Sequence, residues 1–210
     1  MTRLLIAGAT GLVGKLALER ALADVRVSRV IALTRRPIAA HPKLENAVID
    51  FAEMPAQADW WSVDGVISAL GTTRAKTSSP ADYRTIDYDY PLAIARHARA
   101  YGATRFALVS SLGADPHSRF AYTRLKGELE SGVQQLGYAS LTIARPSMLV
   151  GDRTEERTNE GAITSVFRLL GPVLPRKWRI SPASVVAAAM LEGAIAAPTG
   201  VHVLHNEDMG

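Results

Sequence analysis

Short apolar runs alternate along the chain with segments of helical spacing. Residues 3–9, 29–34, 46–51, 65–70, 105–110, 141–144 and 201–205 are strand-length and apolar, as strands covered on both faces require. Residues 11–23, 88–101, 122–136, 163–170 and 182–197 carry the helical period instead. In the first of these, Leu12, Leu16, Leu18 and Leu22 are apolar while Lys15, Glu19 and Arg20 are polar. Strand–helix alternation with crossovers predicts an α/β fold: a doubly wound parallel sheet flanked by helices. Ligands on such sheets bind outside the carboxyl ends of the strands.

The first strand runs straight into Gly8-Ala9-Thr10-Gly11-Leu12-Val13-Gly14. Gly8 and Gly11 sit at the strand–helix junction, where a pyrophosphate must approach the backbone with no side chain in the way. The helix that follows aims free N–H groups and the positive end of its dipole at that phosphate. Gly14 lets the helix pack closely against the strand. The spacing is Gly-x-x-Gly-x-x-Gly and not the standard Gly-x-Gly-x-x-Gly, so the triplet alone is weak. Its strand–turn–helix context points to a dinucleotide site on Gly8, Thr10, Gly11, Leu12 and Val13. The plain alternative is a tight turn that holds no ligand.

Later strand ends extend this site. In this architecture the second strand ends near the adenosine ribose, where a carboxylate favours NAD and an arginine favours a 2′-phosphate. The chain has Thr34-Arg35-Arg36-Pro37 there, two adjacent guanidiniums and no acid, which predicts NADP(H). Asp50 could accept from the adenine amino group; Phe51 reads equally as core. Ala69, Leu70 and Gly71 let a cofactor run across the tip of the fourth strand.

Tyr122 and Lys126 are four residues apart in a helical segment, so both side chains share one face. Val109-Ser110-Ser111 closes the preceding strand, and a serine there can converge with the Tyr/Lys pair over a nicotinamide. Carbonyl reduction builds negative charge on oxygen as hydride reaches carbon. A phenol can donate the proton, but its ordinary pKa of ~10 is too high for easy return. A neighbouring ammonium stabilises the phenolate, and a serine hydroxyl orients the substrate oxygen. General acid–base help of this kind is worth roughly 10²–10⁴-fold. The plain alternative is a solvent-facing Tyr and Lys.

These strings together resemble the short-chain dehydrogenase/reductase superfamily, and within it the atypical branch containing the Tat-interacting protein and its bacterial relatives. The resemblance runs over nearly the whole chain. It rests on the glycine turn, Arg35-Arg36, Leu70-Gly71-Thr72-Thr73-Arg74, Asp87-Tyr88-Asp89-Tyr90, Ser110-Ser111-Leu112-Gly113-Ala114-Asp115, Tyr122 to Lys126-Gly127-Glu128, and Arg145-Pro146. It implies a Rossmann-type fold, NADP(H) as cofactor, and a catalytic set of Ser111, Tyr122 and Lys126, with Ser111 preferred to Ser110. Pro146 would present an apolar wall beside the nicotinamide. On this resemblance residues 1–210 form a single NAD(P)-binding domain, with about 146–200 contributing a small substrate-side region. The chain departs from the wider superfamily at Asp87, the nearest match to an asparagine often used in a proton relay. It also has little chain after the sixth strand, which argues against a bulky nucleotide-sugar substrate.

Composition narrows the remaining choices. With 24 basic and 20 acidic residues the net charge is +4, which suits an anionic cofactor. No basic run exceeds Arg35-Arg36, so nucleic acid is not an expected partner. There is no cysteine, which excludes thiolate chemistry and cysteine zinc sites. No stretch approaches the ~20 apolar residues of a membrane span, and no signal-like pattern opens the chain; a cytoplasmic location is expected. Residues 72–80 and 151–161 read as loops, and with 167–174 they would line a small-molecule pocket. The favoured function is an NADP(H)-dependent oxidoreductase of a small carbonyl or quinone. The alternatives are an NADP(H)-sensing regulatory module that binds a partner protein, and an epimerase or dehydratase that uses the cofactor transiently. A homodimer through the Tyr-bearing helix stays open.

Overall fold

The computed structural model describes residues 1–72, 77–150 and 179–209. The expected loop at 151–161, the helix at 163–170 and the segment 167–174 lie outside the described residues, as do residues 73–76 of the loop at 72–80. The described chain runs β1 (Thr2–Ala7), α1 (Leu12–Ala23), β2 (Val27–Thr34), β3 (Leu44–Val48), β4 (Gly65–Ser68), α2 (Pro80–Arg84), a π turn (Thr85–Asp89), α3 (Tyr90–Ala100) and β5 (Arg105–Val109). It continues through α4 (Ala121–Gln134), β6 (Ser140–Arg145), β7 (Leu149–Val150), β8 (Ser181–Pro182), α5 (Ala183–Ile195) and β9 (Gly200–His205).

Seven strands form one sheet in the order β3-β2-β1-β4-β5-β6-β9, and every neighbouring pair is parallel. This is the doubly wound Rossmann arrangement the sequence predicts. Alternation along each strand sends side chains to opposite faces. Leu5, Ile31, Phe106, Leu108 and Ile143 point to one face, where they meet Leu92 and Ile94 of α3 and Leu129 and Val133 of α4. Leu4, Ile6, Val30, Ile67 and Ala144 point to the other, against Val13, Ala17 and Leu18 of α1 and Val186, Met190 and Leu191 of α5. Because helices cover both faces, the buried strands β1 and β4 read as nearly unbroken apolar runs, whereas the edge strands β3 and β9 carry polar residues.

Small residues set how closely the layers approach. A Cβ at Gly65, where β4 begins, would lie 2.2 Å from the Ala194 carbonyl oxygen of α5. A Cβ at Gly193 would lie 2.7 Å from Thr142 of β6. The backbone of α5 therefore rides directly on the centre of the sheet. No helix among the described residues is long and apolar enough to cross a membrane.

Two elements differ from their sequence reading. The third strand runs from Leu44 to Val48 and not over 46–51. The Asp50 carboxylate accepts from Ala52 N at 2.9 Å and turns the chain into a 3-10 turn, Phe51–Glu53. Phe51 stays apolar because it packs on Tyr90, with ring centroids 5.7 Å apart. The helix read over 88–101 is α only from Tyr90, because the π turn precedes it.

Gly65→Ala is expected to destabilise the fold by about 3 kcal/mol, because backbone and not a flexible side chain blocks the new methyl. Urea unfolding midpoints of the two proteins measure this. An unchanged midpoint would show that α5 does not sit so closely on β4.

Candidate active site

All sheet strands are parallel, so every carboxyl end lies along one edge. Gly8 follows β1 there with φ +83°, a conformation that favours glycine. A Cβ on Gly8 would lie 2.5 Å from Ala69 O, and one on Gly14 would lie 2.0 Å from Gly8 O. The turn therefore presses between the β4 tip and α1. Gly11 N donates to Gly8 O at 2.9 Å, and Gly11 is the N-cap of α1 with no side-chain cap bond. The first helical N–H groups, from Leu12 and Val13, are left for an anion. Thr10 and Gly11 are exposed, whereas the Val13 side chain is in the core, so Val13 can offer only backbone. This cradle of open N–H groups over small residues fits a dinucleotide pyrophosphate.

The β2 tip is shaped by a short polar network. Asn46 Nδ2 donates to Thr34 Oγ1 at 2.7 Å and to Ala32 O at 3.1 Å, while its Oδ1 accepts from Ile38 N at 2.9 Å. Thr34 Oγ1 donates to Arg36 O at 2.8 Å. These bonds fold residues 34–38 into a fixed turn that leaves Arg35 and Arg36 exposed. Neither guanidinium has an ion-pair partner among the described residues. Asp50 is exposed, and Phe51 is buried with its ring against Tyr90. Ala69 and Leu70 are half-buried at the β4 tip, and Gly71 is exposed.

The helix α4 carries the polar chemistry. Its start is fixed by Ser118, whose hydroxyl lies 2.6 Å from Thr123 Oγ1 and accepts from Phe120 N at 3.2 Å. The loop from the β5 tip folds back onto the helix because residue 127 is glycine: a Cβ there would lie 2.3 Å from the Asp115 carbonyl carbon. Tyr122 opens the helix half out in solvent at 46% exposure, and Lys126 lies one turn deeper at 5%. Lys126 Nζ pairs with Asp87 Oδ1 at 2.8 Å, and Asp87 is 1% exposed. Ser111 is half-buried, and among the described residues its hydroxyl bonds only to the neighbouring Leu112 O, at 3.3 Å. Leu112 N donates to Pro146 O at 2.8 Å, which draws the Ser111 loop to the buried Pro146 after β6.

Sequence reasoning missed Glu130. It is 2% exposed and takes the Ser110 hydroxyl together with both arms of Arg145, Nε at 3.1 Å and Nη2 at 2.5 Å. The carboxylate holds the Arg145 guanidinium above its ordinary pKa, chiefly through these hydrogen bonds. Ser110 is thereby committed to a structural bond between β5, α4 and β6. The signal was present: Tyr122, Lys126 and Glu130 recur every four residues and share one helix face. The pairing of Asp87 with Lys126 was not legible, because 39 positions of chain separate them.

Comparison with known proteins agrees with this geometry. A family model described as NAD(P)H-binding matches residues 8–166. The chain is 35% identical over 181 residues to the protein fmp52, mitochondrial, of Emericella nidulans, covering 82% of this chain and 78% of that one. It is 33% identical over 211 residues to the protein HTATIP2 of Rattus norvegicus, covering 96% of this chain and 85% of that one. Among solved structures, MoeE5 in complex with UDP-glucuronic acid and NAD superposes with a TM-score of 0.74 at 17% identity, over 96% of this chain and 75% of that one. The expected cytoplasmic location is overturned by these names: the Emericella protein and its Aspergillus counterparts are designated mitochondrial. A glycine cradle at β1, a polar stripe on α4 and these relatives together place the chain in the NAD(P)H-binding family, with HTATIP2 and Fmp52 proteins among its relatives.

Proposed function

We propose that this protein is an NADP(H)-dependent reductase of a small carbonyl or quinone. The observation that carries the reading is the Tyr122–Lys126 stripe: a buried, ion-paired ammonium one helical turn beneath an exposed phenol. A solvated surface pair would have no reason to bury the lysine, since burying a charge is costly unless it is paired.

The cofactor, when bound, would supply a hydride to the substrate carbon. The backbone N–H groups at the start of α1 would hold its pyrophosphate, and Gly8, Gly11 and the small β4 tip would make room for it. Arg35 and Arg36 stand exposed at the β2 tip with no ion-pair partner among the described residues, and their forked donors match a 2′-phosphate. Tyr122 hands its phenolic proton to the substrate oxygen as negative charge builds there. Lys126 lies on the same face and stabilises the phenolate left behind. Ser111, whose hydroxyl has only a long local bond among the described residues, donates to the same substrate oxygen; Ser110 is occupied by Glu130. Pro146 has no N–H and closes the site with an apolar wall.

Tyr122→Phe is expected to lower kcat by roughly 10²–10⁴-fold while NADPH affinity stays within about three-fold. NADPH oxidation against a panel of aldehydes, ketones and quinones, with a cofactor titration alongside, measures both. A variant that turns over at the native rate would remove Tyr122 as proton donor. Tight NADPH binding with no turnover of any substrate by the native protein would favour the sensor reading instead.

Arg35→Ala is expected to weaken NADPH roughly ten- to a hundred-fold, the worth of a charged hydrogen bond, and to leave NADH nearly unchanged. Equal loss for the two cofactors in a fluorescence titration would contradict the 2′-phosphate assignment.

A further inference from the structure

Glu130 takes no part in the chemistry above, yet its bonds reach the chain neighbours of two residues that do. Its Oε1 accepts from the Ser110 hydroxyl and from Arg145 Nε at 3.1 Å, and its Oε2 accepts from Arg145 Nη2 at 2.5 Å. Ser110 directly precedes Ser111, and Arg145 directly precedes Pro146. Two backbone bonds close the same frame: Ser110 N donates to Ala144 O and Leu112 N to Pro146 O, each at 2.8 Å. Ser111 lies between those two rungs, and its own hydroxyl makes only the long bond to Leu112 O among the described residues. Glu130 is 2% exposed and Ser110 5%, so water competes little for the bond between them.

We propose that Glu130 is the positioning residue for the substrate-oxygen side of the site. It clamps the tips of β5 and β6 to α4, and so sets where the Ser111 hydroxyl and the Pro146 wall stand relative to Tyr122. The inference rests on the reductase reading and deepens it. Packing alone gives no reason for a charge here: a buried ion pair adds little net stability, and apolar residues of similar volume often replace one without loss. What the pair supplies is direction. A carboxylate held by both arms of a guanidinium has its plane fixed, and the Ser110 hydroxyl is aimed at one of its oxygens. Tyr122 stands eight residues before Glu130 on α4, about 12 Å along the axis, so the helix carries that placement to the phenol. A catalytic hydroxyl has to be held within about 0.5 Å of its productive position by the groups around it. Ser111 takes that precision from the bonds of its neighbours.

The test is a double-mutant cycle with Ser110→Ala, Ser111→Ala and the double variant, following kcat, substrate KM and NADPH affinity. Ser110→Ala cuts the side-chain link from Glu130 to β5 and leaves the Glu130–Arg145 pair intact, so the fold is retained; urea midpoints check this. With Ser111 present, Ser110→Ala is expected to lower kcat by about ten-fold, an ordinary coupling between neighbours in one network. KM and NADPH affinity stay within about two-fold, which separates lost positioning from general loosening. Added to Ser111→Ala, the same change should cost less than about two-fold, because it acts only through that hydroxyl. Hydrogen exchange of the Leu112 amide gives a readout that needs no substrate: with the clamp cut, it should speed up by about ten-fold. Glu130→Gln also leaves Arg145 unbalanced and is expected to lower kcat at least as far; if it does not fold, Ser110→Ala still carries the test. The proposal is overturned if Ser110→Ala changes neither kcat nor Leu112 exchange, if it lowers kcat equally in both backgrounds, or if Glu130→Gln turns over at the native rate. If the native protein reduces no substrate, the reductase reading fails, and Leu112 exchange decides the Glu130 claim by itself.

Discussion

A parallel sheet buried on both faces is the constraint from which the rest follows. Parallel neighbours need crossovers, and crossovers put helices on both sides, here α1 and α5 on one face and α3 and α4 on the other. All strands then end at one edge. Gly8, Arg35, Asp50, Gly71, Ser111 and Pro146 are scattered through the chain, yet each follows the end of a strand in this one sheet. The site is a consequence of direction: every turn from strand to helix opens on the same side. Close approach of α5 at Gly65 and of α1 at Gly14 keeps those ends in register with the helices.

The second organising feature is polar and lies inside. One face of α4 carries Tyr122, Lys126 and Glu130 at successive turns, running from solvent into the core. Each of the two buried charges has an opposite charge within 2.8 Å: Asp87 for the lysine, Arg145 for the glutamate. Burial of either one unpaired would be costly, so the pairs oblige α4, the π turn and the β6 tip to meet in one arrangement. Ser110 joins the lower pair and Ser111 is left beside Pro146, which separates two adjacent serines into structural and available. The helix is held by its deeper charges while its first turn stays open.

Much of this was legible in the chain. Continuous apolar strands, the glycine turn and the i, i+4 spacing of Tyr122 and Lys126 depend on local pattern, and local pattern survives folding. The end of β3 was misread because Ile49 and Phe51 are apolar for another reason: they pack beyond the strand, after Asp50 turns the chain. The π turn has no composition of its own and hides inside a helical pattern. Glu130 was overlooked although its spacing continued the stripe, because a glutamate on a helix ordinarily faces water. The Asp87–Lys126 contact is long-range and could come only from the packed structure. Location was misjudged for a different reason: composition says nothing of compartment.

The central claim is that the carboxyl edge of the sheet holds a nicotinamide cofactor with its reactive end over the α4 stripe. A crystal structure of the NADP⁺ complex tests it most directly. The account predicts the pyrophosphate at the start of α1, the 2′-phosphate on Arg35 or Arg36, and the nicotinamide ribose in hydrogen-bond contact with Tyr122 and Lys126. A cofactor bound with its nicotinamide ribose away from Lys126, or with its 2′-phosphate touching neither arginine, would contradict it.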